Sequence, residues 1–97
     1  MNVVIRGGEI VTADSRYVAD ILVQDEKITA IGRDLHVPAG TEELDASGRF
    51  VFPGFIDPHV HIYLPFMCTV TTDNHSTGSI AALLGGTTTF IEMLAPP

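Results

Sequence analysis

Short β-branched runs separated by turn residues dominate the first half of the chain. In NVVIRGGEIVTA, residues 3–5 and 9–11 flank Gly7-Gly8, a pattern that predicts a hairpin. The segment YVADILVQDEKITAIG repeats the arrangement, with residues 21–24 and 27–31 on either side of Asp25-Glu26 and Gly32 closing the second run. This predicts a second hairpin. After the polar connector RDLHVPAGTEE, the segment LDASGRFVFPG offers a further turn at 46–48. Residues 1–50 therefore read as a small, mostly antiparallel β-module.

At Phe50 the pattern changes. FVFPGFIDPHVHIY is apolar at successive positions, as in a strand covered on both faces in a parallel sheet, although Pro53 and Pro58 interrupt it. TDNHSTGSIAALLGG reads as a helix, with Thr72, Asp73 or Asn74 as N-cap, Ile80, Leu83 and Leu84 on one face, and Gly85-Gly86 as the stop. TTTFIEML is a second strand by its Thr and Ile content. Strand, helix and strand make one βαβ unit over residues 51–97, the repeating piece of parallel sheets and (β/α)8 barrels. Two strands and one helix cannot close a core, and a complete barrel takes about 250 residues. The expected class is α/β, in the N-terminal part of a longer protein.

Composition narrows the partners. The chain is 45% hydrophobic and 18% charged, within the range of a globular domain. Its net charge of -7 argues against nucleic acid and anionic membrane, which are held by clustered Lys and Arg. Cys68, the single cysteine, cannot form an internal disulfide, and MNVVIRGG lacks a signal-peptide pattern, so a cytoplasmic setting is expected. No apolar run approaches the roughly 20 residues that span a bilayer.

The candidate chemistry lies in PGFIDPHVHIYLPF. Side chains alternate along a strand, so His59 and His61 share a face and can reach one divalent metal, for which imidazole suits Zn, Fe, Ni and Cu. Asp57, one step back on that face, is placed to orient a ligand histidine. An isolated His-x-His also arises by chance, as satisfied or exposed histidines. The apolar context favours the metal, because two buried imidazoles without partners would cost about 1–3 kcal/mol each.

PGFIDPHVHIYLPF, the downstream GGTTTFIEM and the opening IRGGEIVTADSRYVADILVQDEKITAIG together closely resemble the N-terminus of the amidohydrolase superfamily, in its dihydropyrimidinase and D-hydantoinase group. The resemblance covers essentially the whole chain. It implies that residues 1–50 belong to a small β-sandwich domain completed by C-terminal strands, and that 51–97 begin a (β/α)8 barrel carrying two divalent metal ions, most often zinc. It also implies hydrolysis of the ring amide of dihydropyrimidines or hydantoins to N-carbamoyl amino acids by a homotetramer.

Transferred by position, the resemblance makes His59 and His61 ligands of one metal and Asp57 a supporting carboxylate. The bridging carbamylated lysine and late aspartate fall beyond Pro97, since Lys27 precedes the histidines and Asp73 lies too early. The isolated chain is then expected to bind metal weakly and not to catalyse. Allantoinase-like or dihydroorotase-like hydrolysis, or a non-catalytic scaffold of the same family, are the alternatives; retained metal-binding histidines favour an enzyme.

In the family the loop containing Leu64, Phe66 and Met67 gates the substrate, which makes these three candidate substrate contacts; packing against neighbouring loops is the competing reading. Cys68 reads as a small buried filler, and His75 as a surface or capping residue. Glu92, on the second strand and facing the barrel interior, reads as the donor or acceptor of a buried structural hydrogen bond in preference to a catalytic group. Replacing Phe66 with Ala in the full-length protein should alter preference among substrates of different size more than metal content; unchanged preference would remove it from the substrate contacts.

Overall fold

The computed structural model describes residues 1–62, 65, 66 and 69–93, with the backbone alone at 65, 66 and 69. The chain is mostly β-sheet with one helix, and it divides between Pro53 and Gly54 into two units.

In the first unit, β1 (Asn2–Val11), β2 (Arg16–Gln24), β3 (Lys27–Gly32), β4 (Glu42–Asp45) and β5 (Phe50–Val51) form one sheet. Its order is β3-β2-β1-β4, with β5 pairing farther along β1. The β2–β3 hairpin forms where Asp25-Glu26 predicts it. Both turn residues have positive φ, 48° and 70°, as a two-residue turn matching the strand twist requires.

Gly7-Gly8 does not make a hairpin. β1 runs through it as one strand, and its pairing with β2 shifts between Ile5, opposite Ile21, and Gly8, opposite Ala19. Arg6 and Gly7 thus face the single residue Asp20, with Gly7 at φ 72°, as in a bulge. Asp20 is only 7% exposed and satisfies the groups the bulge releases. Its carboxylate accepts from Gly7 N–H at 2.9 Å, Arg6 Nη1 at 2.8 Å and Leu35 N–H at 3.2 Å. Arg6 also donates to Leu35 O at 2.8 Å and to Glu43 Oε1, so its two ion pairs, with Asp20 and Glu43, and the Leu35 hydrogen bonds fasten β4 and the connector to the bulge.

The turn after β4 forms at the expected place, with Ser47 N–H donating to Asp45 Oδ1 at 2.9 Å. It is not an antiparallel turn. β4 and β5 both run parallel to β1, and the loop between them steps past the β1 bulge, with Ala46 N–H bonded to Arg6 O and Glu9 N–H to Arg49 O. Gly8 allows this close approach, because a Cβ there would meet Val51 Cγ2 at 2.5 Å. The core is small: Ile10, Ala19 and Ile21 pack with Ile5, Val23 and Val51.

The second unit contains β6 (Phe55–Val60), β7 (Pro65–Phe66), β8 (Thr69–Val70), α1 (His75–Leu84) and β9 (Thr87–Glu92). β6 and β9 are parallel, while β7 and β8 form a short antiparallel pair. The expected strand, helix and strand are present. The continuous strand from Phe50 is not: Pro53-Gly54 separates β5 from β6. Nor is β6 covered on both faces, since Phe55 and Ile56 are 53% and 65% exposed; its only strand neighbour among the described residues is β9.

Asn74 is the N-cap of α1, its Oδ1 accepting from Thr77 N–H at 2.9 Å while Thr77 Oγ1 accepts from Asn74 N–H at 3.1 Å. Among the described residues no helix is long and apolar enough to cross a membrane.

Arg6 lowers the pKa of Asp20, reinforced by the two backbone N–H donors and opposed by burial. A depressed carboxylate pKa stabilises the fold above the unfolded value, near 3.9, and that contribution disappears as pH falls through the lower folded value. Asp20→Ala is expected to destabilise the first unit by about 1–3 kcal/mol at pH 7. Urea titrations followed through its strand amides should show the deficit shrinking below about pH 4; equal stability at pH 7 would refute the role given to Asp20.

Candidate metal centre

Pro58 has no N–H to give the ladder, and the pairing of β6 with β9 is irregular between Asp57 and Val60. Asp57 compensates locally: its Oδ1 accepts from His59 N–H at 3.2 Å. The carboxylate thus touches the backbone of a candidate ligand, and it fixes where the His59 side chain begins. Beyond the irregularity the two strands rejoin, with Met93 N–H donating to Val60 O at 2.9 Å.

The same residue reaches across to His61. Met93 O lies 2.8 Å from His61 Nδ1. A carbonyl oxygen only accepts, so His61 carries a proton on Nδ1, and in the neutral ring Nε2 keeps its lone pair. That Nε2 lies 3.2 Å from His59 Nε2, with the rings 5.0 Å apart and inclined at 76°. The strand alternation therefore does bring the two rings together, although His61 lies one residue beyond β6.

This spacing can be an N–H···N hydrogen bond when His59 is protonated at Nε2, and it also fits a shared cation. Two nitrogens bound at 2.0–2.1 Å to one tetrahedral ion lie about 3.3 Å apart. Both rings are exposed and not buried as the apolar context suggests, so the cost of burial does not argue for a metal within this chain, although an ion can reach them. The donor set is partial: among the described residues no three His, Cys, Asp or Glu side chains come together to hold a metal. A cleft of about 290 Å³ reaches His61 but not His59, lined in part by Asp57, His61, Ile62, Asp73 and Phe90.

Two further groups were hidden from sequence reasoning. The Met93 carbonyl is a backbone atom, and no residue letter announces it. His75, which reads as a surface or capping residue, leaves the capping to Asn74 and places Nε2 2.6 Å from Glu92 Oε2. Glu92 thereby makes a structural hydrogen bond, although an exposed one and not the buried one expected. Leu64, Met67 and Cys68 lie outside the described residues, as does the side chain of Phe66.

No family model matches the chain. A D-hydantoinase of Geobacillus stearothermophilus is 53% identical over 92 residues, 95% of this chain and 19% of that protein. A dihydropyrimidinase of Rattus norvegicus is 46% identical over 96 residues, again 95% of this chain and 18% of its own length. Among solved structures, the D-hydantoinase (dihydropyrimidinase) of a Thermus species superposes on 97% of this chain and 20% of its own, with a TM-score of 0.91 and 65% identity. The chain thus spans about a fifth of the length of the relatives it matches.

Zinc titration followed through the imidazole signals should perturb His59 and His61 together. His59→Ala and His61→Ala should each abolish that response, while His36→Ala, in the polar connector RDLHVPAGTEE of the first unit, leaves it unchanged. A full response from either single variant at the pair would show that the two rings do not share an ion.

Proposed function

Because the chain belongs to the dihydropyrimidinase and D-hydantoinase family, we propose that it contributes two metal ligands to an enzyme that hydrolyses the ring amide of dihydropyrimidines or hydantoins. The observation that carries this reading is the 3.2 Å approach of His59 and His61 Nε2, with the Nδ1 proton of His61 engaged by Met93. His59 and His61 would hold a divalent ion there, zinc being well suited to imidazole, which would supply Lewis acidity toward the carbonyl and toward water.

The chain's own residues have defined parts. His59 and His61 donate Nε2 lone pairs, Met93 O keeps the His61 proton on the opposite nitrogen, and Asp57 anchors the His59 backbone. In the net reaction water adds across the ring C–N bond. The carbonyl carbon takes the water oxygen, the ring nitrogen leaves with one of the water protons as the nitrogen of an N-carbamoyl amino acid, and the other proton is released as the new carboxyl group ionises to a carboxylate.

Catalytic zinc usually takes three protein ligands and a water, so two imidazoles require completion. Under this proposal the bridging lysine, further histidines and late aspartate come from the rest of the protein, which binds two metals within a barrel. The exposed faces of the second unit support that reading. Ile56, Leu83 and Ile91 are 65%, 60% and 53% exposed, and barrel neighbours would cover them. Leu64, Phe66 and Met67 are proposed to contact the substrate's exocyclic group. The tetrameric state belongs to the same proposal and rests on the family resemblance, and a cytoplasmic setting is proposed beside it from the single cysteine.

The full-length protein, loaded with zinc, should open dihydrouracil or hydantoin. His61→Ala should lower both metal content and turnover, the latter by more than about 100-fold, since even groups that merely support a ligand are worth 10–100-fold. A metal-replete, folded protein that opens neither ring would overturn the assignment.

A further inference from the structure

The His61 tautomer depends on a carbonyl one residue past the end of β9. Met93 lies one residue past β9, and the ladder behind it is irregular where Pro58 interrupts β6. Met93 N–H to Val60 O is one restraint on its position. A second enters through the preceding residue. Glu92, whose side chain is 19% exposed, accepts from His75 Nε2 at 2.6 Å, and His75 is the first residue of α1. A carboxylate only accepts, so the contact selects His75 protonated at Nε2. The start of α1 is fixed in turn by the reciprocal Asn74 and Thr77 capping bonds.

We infer that His75 and Glu92 are positioning residues of the metal centre: their contact holds the end of β9 so that Met93 O keeps the His61 proton on Nδ1 and leaves Nε2 for a metal. The connection runs from the capped helix through His75 and Glu92 to the adjoining Met93 peptide, and then to His61. It rests on the metal-binding reading of the histidine pair, which it deepens by explaining how one ligand is prepared before an ion arrives. Neither residue touches the metal or the substrate in this account.

The test uses the full chain with 15N-labelled histidine. Long-range 1H–15N spectra in the absence of metal report the His61 tautomer, and zinc titration of the same sample reports affinity. The unsubstituted chain is expected to hold His61 in the Nδ1–H form. In Glu92→Ala and His75→Ala the tautomers should mix and zinc affinity should fall about 10- to 100-fold, the range for lost ligand-supporting groups. Glu92→Gln retains an oxygen that accepts from His75 and should preserve most of both properties.

If Glu92→Ala loses the β6–β9 amide pattern, His75→Ala decides, because the His75 side chain is 60% exposed and its removal leaves no buried void. A folded variant with an unchanged tautomer, or a changed tautomer with unchanged zinc affinity, would overturn the inference. The metal-free spectra need no catalysis. Loss of the tautomer in the variants alongside a full-length protein inactive on both rings would retain the positioning role and reject only the proposed reaction.

Discussion

The hydrogen bond between Met93 O and His61 Nδ1 determines what the histidine pair can do. A neutral imidazole has one lone pair to give, and the carbonyl decides which nitrogen offers it. That restraint leaves the His59 tautomer open, so the 3.2 Å approach of the two Nε2 atoms holds either a proton on His59 Nε2 or a shared cation. His61 itself is set as a donor toward the position that His59 also faces. The parallel pairing of β6 with β9 brings the carbonyl within reach of a ring 32 positions earlier in the chain.

Both units handle irregular backbone in the same way. In the first, the β1 bulge leaves the Gly7 N–H without a ladder partner, and Asp20 accepts it while pairing with Arg6. In the second, Pro58 interrupts the ladder, and Asp57 accepts from His59 N–H. The physical demand is common to both, since backbone polar groups released from a sheet need partners. Its consequences differ: Asp20 consolidates a small core, whereas Asp57 fixes the base of a candidate ligand.

Much of this was legible in the residues. The Asp25-Glu26 turn and the strand at 87–92 follow from local rules, Asn74 is one of the three caps those rules offer, and the one-residue spacing of His59 and His61 correctly puts their rings together. Gly7-Gly8 was misleading because a glycine pair marks a bulge as readily as a turn. The deciding partner, Asp20, lies 13 residues from Gly7. The parallel direction of β4 and β5 was likewise beyond local reading, since strand direction is set by the partner edge. Apolar composition suggested burial of β6, but burial requires neighbours as well as sequence. The Met93 carbonyl was invisible for a simpler reason: every residue has one, and only the tertiary fold assigns it a role.

The direct test is to locate zinc in crystals of the metal-loaded chain by anomalous scattering. The account predicts one ion in contact with Nε2 of both His59 and His61, with Met93 O still bonded to His61 Nδ1. Zinc bound through His61 Nδ1, or held elsewhere while the pair remains unliganded, would contradict it.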